Sequence, residues 1–184
     1  MADPTETSSS EASRDPLLSF ARLVLTAALV IAALCVLALP VALIAAAVRW
    51  DDWTARLAAS GIGADAAPWI LLLMVLVALM FALGFFFLRH LRRIVDSVAL
   101  GDPFAPVNAD RLRSMAWLAL AIQAIAIPAT KLAIWFDAAP HRANVHHGDD
   151  GLSLGALLLV LILFVLARVF RTGAVMRDEL EGTI

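Results

Sequence analysis

Residues 66–88 read AAPWILLLMVLVALMFALGFFFL, a run without one charged side chain that ends abruptly at Arg89. A helix rising about 1.5 Å per residue needs roughly 20 apolar residues to cross about 30 Å of hydrocarbon, so this run is long enough to span a bilayer. Three further stretches repeat the pattern: 23–48, 115–136 and 152–167, the last completed by Val169 and Phe170. Soluble helices need a wettable face, and a chain that is 62% hydrophobic with a mean hydropathy of +0.88 cannot give one to each of these segments. The sequence therefore predicts an all-α polytopic membrane protein with four transmembrane helices in an antiparallel bundle.

Outward from these runs little chain remains. Residues 1–16, rich in Ser, Thr and acids, read as a disordered leader, and 17–184 as one four-helix membrane domain. Its helices are expected at about 17–49, 66–100, 108–137 and 151–172, followed by a short tail. The first run is too long for a signal-peptide core, and Asp3, Glu6, Glu11 and Asp15 outnumber Arg14 and Arg22 before it, so it reads as a retained helix. The lone Cys35 lies within that helix and has no partner for an internal disulfide.

Basic residues near helix ends resist translocation and so report orientation. Arg14 and Arg22 precede the first helix; Arg89, Arg92, Arg93, Arg111 and Arg113 lie between the second and third; Arg168, Arg171 and Arg177 follow the fourth. Arg49, Arg56 and Arg142 occupy the other loops, where Asp51, Asp52, Asp65, Asp137, Asp149 and Asp150 offset them. Both termini and the middle loop are thus expected in the cytoplasm, with Trp50, Trp53, Trp69 and Trp135 at the outer interface that indole rings prefer.

In the middle loop, Leu91, Ile94, Val95 and Val98 recur at helical spacing, and Arg92 and Asp96 stand four apart, so the second helix should continue past the bilayer. Gly101 suits a helix end, Asp102-Pro103 a turn, and Pro106 an extended segment. Asn108 is expected to cap the third helix, with Val107 and Leu112 as a hydrophobic staple. Gly173 is expected to cap the fourth helix ahead of an acidic turn.

Three segments carry a family likeness: Gly101-Asp102-Pro103-Phe104, then Asn108-Ala109-Asp110-Arg111-Leu112-Arg113, and Phe170-Arg171-x-Gly173 leading to Asp178-Glu179-Leu180-Glu181-Gly182-Thr183-Ile184. They resemble the domain of unknown function family numbered 2975, small bacterial membrane proteins with four helices. The resemblance implies a bacterial inner-membrane location and no established activity. It also implies genes often adjacent to one for an Xre-type helix-turn-helix regulator, an associational hint of a cytosolic partner.

Phe104, a large aromatic on a Pro-flanked turn, either packs against the helix ends or anchors such a partner, with Arg111 and Arg113 at the rim. The candidate partner-binding set is Phe104, Asn108, Arg111, Arg113, Asp178, Glu179 and Glu181. Within the apolar runs, Gln123 and Lys131 stand out, read as an interhelical hydrogen bond and a snorkelling cation, and no carboxylate accompanies them as ion carriers usually require. His141, His146 and His147 beside Asp149 and Asp150 read as a solvated loop rather than a metal site, so no metal or cofactor is expected.

Phosphate loops, HExxH and GxSxG are absent, and no aromatic residues interleave the basic clusters as nucleic-acid binding would need. The expected role is a non-enzymatic regulatory or protein-binding membrane module, in contact with membrane lipids, that presents loop 101–113 and the C-terminal tail to a cytosolic partner. The competing class is a small channel, transporter or transporter subunit.

Overall fold

In hydrocarbon a backbone must satisfy its own hydrogen bonds, so the apolar runs have little choice but helix. The computed structural model describes residues 16–61, 63–100, 105–137 and 153–181. Among them are five α-helices: α1 (Pro16–Val48), α2 (Trp50–Ala59), α3 (Ala67–Ala99), α4 (Pro106–Asp137) and α5 (Leu154–Glu181), with a 3-10 turn at Ala64–Ala66 leading into α3. All but α2 are long and apolar enough to cross a membrane, which makes this a multi-pass membrane protein. Pro40 and Pro128 lie inside α1 and α4, and both helices run through them unbroken.

Each long helix packs chiefly on its neighbour in the sequence: α1 on α3, α3 on α4, α4 on α5. The contacts show that neighbours run antiparallel. Arg22 near the start of α1 meets Asp96 near the end of α3, and Asp110 at the start of α4 meets Arg171 late in α5. At the opposite end, Trp69 of α3 stacks edge-on against Trp135 of α4 with ring centroids 6.2 Å apart. At one edge of this row, α1 leaves Leu23, Ile31, Leu34 and Leu37 exposed, apolar surface that acyl chains can solvate.

Buried apolar residues are mostly alanines, among them Ala109, Ala116, Ala129, Ala167 and Ala174. This is what packing in lipid favours, because small side chains let backbones approach where hydrophobic driving force is weak. Among the described residues the core cluster sits at the arginine-rich end. Leu112, Met115 and Ala116 of α4 and Leu163 and Ala167 of α5 bury together, with Phe87, Leu91 and Ile94 of α3 and Phe170 of α5 packed around them. Those residues straddle Arg89 and Arg168, where α3 and α5 leave their apolar runs. Core and water meet there, so burial regains its usual driving force.

Three expectations from the sequence are corrected. Pro106 does not hold the chain extended; it opens α4, a position where its fixed φ and missing N–H cost nothing. Asn108 is therefore the third residue of α4 and not its cap, and Val107 is half exposed, outside any staple. Gly173 does not end the last helix. Ala174, Met176, Arg177 and Glu179 are good helix formers, Ala174 is buried, and together they carry α5 to Glu181 at the modest cost of one internal glycine.

The segment 50–59, expected as loop, forms α2. Asp51 and Asp52 in its first turn and Arg56 in its last complement the helix dipole, and its half-buried residues are Thr54 with Trp53 and Leu57, the last two four apart. Gly61, at φ +81°, supplies the left-handed residue that turns the chain after it.

Candidate functional site: the arginine-rich end

Each of the four long helices is longer than the hydrocarbon is thick. At about 1.5 Å per residue, the 33 residues of α3 extend about 50 Å, some 20 Å more than the hydrocarbon is thick. The excess of α3 begins at Arg89 and forms, with the start of α4 and the end of α5, a short water-facing bundle.

Polar contacts join each neighbouring pair of helices in this bundle. Between α3 and α4 they form a relay: the Arg111 guanidinium donates to Asn108 Oδ1 (2.9 Å), Asn108 Nδ2 donates to Ser97 Oγ (2.7 Å), and Ser97 Oγ donates to the Ile94 carbonyl (2.7 Å). The same Arg111 nitrogen also donates to the Arg93 carbonyl at 3.0 Å. Asn108 is fully buried, so its amide must be satisfied inside the protein, and the relay does this. Between α1 and α3, Arg22 Nε lies 3.1 Å from Asp96 Oδ1, while Arg92 reaches Oδ2 of the same carboxylate at 3.9 Å. Between α4 and α5, Asp110 pairs with Arg171.

Surface grooves flank these contacts. One of about 510 Å³ runs between α1 and α3, lined by Thr26, Leu29, Val30, Phe85 and the side chains of Arg89, Arg92, Arg93 and Asp96. Another of about 510 Å³ lies along α5 beside Arg168, Val169, Thr172, Met176 and Arg177. Between α3 and α4, His90 lines a hollow with Phe86, Ser114 and Trp117; its Nδ1 is buried without a hydrogen-bond partner among the described residues.

With this geometry in view, comparison with family models decides the identity of the chain. The model described as protein of unknown function DUF2975 matches residues 45–184. The chain belongs to that family. Comparison with curated proteins and with solved structures gave no match. The DUF2975 match begins in the last turn of α1 and takes in α2 to α5, so the relay and the Asp110–Arg171 pair lie within it, whereas Arg22 lies outside.

For the residues singled out from the sequence of this DUF2975 member, the structure gives distinct placements. Arg111 and Asn108 come together, but in the relay that fastens α4 to α3; the buried Asn108 offers no side-chain atom to a partner. Arg113 and Glu179 are exposed. Phe104 and the side chains of Asp178 and Glu181 lie outside the described residues, as do His141, His146 and His147.

Among the described residues no group of three His, Cys, Asp or Glu could hold a metal ion. Gln123 is buried in mid-α4, and Lys131 is exposed on the same helix. Sequence reasoning missed Ser97, Asp110 and Arg22 as cross-links. The Arg92–Asp96 spacing marked only the partner of Arg22, because the other contacts are brought together by folding.

Proposed function

We propose that this protein is a non-catalytic regulatory module of the bacterial inner membrane, presenting its arginine-rich end to a cytosolic protein such as a helix-turn-helix regulator. The observation that carries this reading is the construction of that end: a bundle emerging from the apolar runs, cored by Met115 and Leu112 and cross-linked between each neighbouring pair of helices. Such a platform lowers the ordering cost of presenting a surface. Beyond it α5 continues to Glu181, with Val175 and Met176 exposed beside the groove at Arg168 and Arg177, an apolar patch with a basic rim. Transport has less support, since the apolar runs contain no Asp or Glu.

The orientation required here follows from the arginine distribution and is tested by itself. Cysteines placed at Ala105 and Thr183 should react with an impermeant reagent only after the cells are opened, and one at Ala59 should react in intact cells. For the partner, a photo-cross-linking residue at Met176 should capture a soluble protein in native membranes, and the same residue at Trp135 should not. Phe104→Ala should weaken that association by about 2 kcal/mol while leaving insertion intact. Labelling of Ala105 in intact cells, or ion flux through reconstituted protein that depends on Gln123 and Lys131, would overturn the reading.

A further inference from the structure

The groove between α1 and α3 has two chemistries along its length. Its floor is Leu29, Val30 and Ala33 of α1 with Phe85 of α3, continuous with the apolar runs of both helices. Its mouth carries the guanidinium groups of Arg89, Arg92 and Arg93. Phe85, Arg89, Arg92 and Asp96 recur at spacings of four, three and four, a single stripe along α3.

The one carboxylate in the groove, Asp96, is held by Arg22 and Arg92. Among the described residues Arg89 and Arg93 have no carboxylate partner, so the mouth keeps a clear excess of positive charge. Thr26 spends its hydroxyl on the Arg22 carbonyl of its own helix. An occupant must therefore be anionic at one end, matched to planar forked donors, and apolar at the other.

We propose that this groove binds an anionic phospholipid in the leaflet at the arginine-rich end, its phosphate at Arg89, Arg92 and Arg93 and an acyl chain along Leu29, Val30, Ala33 and Phe85. Arg89 is the first charge after the apolar run of α3, which sets the basic mouth at the depth where headgroup phosphates lie. Guanidinium groups pair with phosphate oxygens bidentately, and basic pockets between transmembrane helices suit such headgroups. A free phosphate would use the mouth and leave the apolar floor unfilled. A lipid fills both, and it adds a tie between α3 and α1, whose buried residues facing the bundle are few, Leu29 and Ala32 among them.

The test is native mass spectrometry of the full chain released from nanodiscs of phosphatidylcholine doped with phosphatidylglycerol. Wild-type protein should retain phosphatidylglycerol selectively, and excess inorganic phosphate should not displace it. Arg89→Gln with Arg92→Gln should reduce that retention by about tenfold or more, since each arginine contributes severalfold. Val30→Trp, which keeps every arginine, should lower it by obstructing the floor, and stands in should the double variant not fold. Arg49→Gln with Arg56→Gln, an equal loss of charge at the other end, should leave it unchanged. Undiminished retention in either groove variant, equal loss in the Arg49/Arg56 control, or displacement by inorganic phosphate would overturn the proposal.

Discussion

The two ends of this molecule are built on different rules. At the arginine-rich end, side chains reach between helices: Arg22 to Asp96, Asn108 to Ser97, Arg111 to the Arg93 carbonyl, Asp110 to Arg171. At the tryptophan-rich end the described side-chain polar contacts stay local, each between residues three apart: Arg49 with Asp52, Thr54 with the Asp51 carbonyl, Ser60 with the Leu57 carbonyl, and the Ala156 N–H with Ser153 Oγ. There the contact between α3 and α4 is aromatic, Trp69 against Trp135. Directional bonds fix the register of the helices at one end, whereas at the other Trp69 and Trp135 stack while staying about half exposed, as suits indoles near a membrane interface. One end is fastened by directional bonds between helices, the other by aromatic contact and local bonds.

The largest effect should come from the core of the arginine-rich end. Met115→Ala removes a side chain only 2% exposed and should cost about 2–5 kcal/mol, measured by denaturation in micelles. Trp135→Ala, at an exposed edge contact, should cost no more than about 1.5 kcal/mol. Equal losses would erase the contrast between the ends.

Next in size is the relay. Asn108→Ala leaves Ser97 and Arg111 without their buried partner and should cost about 1–3 kcal/mol, with faster hydrogen exchange in the first turns of α4. Asn108→Asp keeps the acceptor for Arg111 and loses the donor to Ser97, so its effect should fall between alanine and wild type. Exchange unchanged in the alanine variant would show that α4 is held by apolar packing alone. The smallest effect is expected at Asp110–Arg171, whose side chains are 66% and 57% exposed. Arg171→Gln should cost at most about 1 kcal/mol, and the difference from wild type should shrink as salt is added.

The sequence was most legible where hydrocarbon constrains it. The expected span 17–49 is observed as Pro16–Val48 and 66–100 as Ala67–Ala99, because about 30 Å of lipid allows few other readings. Legibility fell at the water-facing ends, where local preferences compete with packing. Asn108 carries a capping residue's side chain, but Ser97, eleven residues away, takes its amide once α4 folds against α3. No spacing rule couples Arg111 to the carbonyl of Arg93. The helix at 50–59 was hidden by its polarity, although Asp51, Asp52 and Arg56 at its ends and Trp53 and Leu57 at helical spacing carry its signature. At the candidate site, the cluster of arginines was readable, while the division between those spent on internal bonds and those facing outward required the fold.

The continuation of α5 through Gly173 has a mechanical meaning. Its 28 residues form a rod of about 42 Å that begins at the tryptophan-rich end and finishes beyond the opposite arginine-rich platform. A rod without a break acts as a lever: a tilt of about 10° about its Leu154 end would carry the Glu181 end through about 7 Å, with no hinge to absorb the motion. The Asp110–Arg171 pair, exposed and partway along that lever, is the described ion pair that ties it to α4, and it offers little resistance to such a tilt.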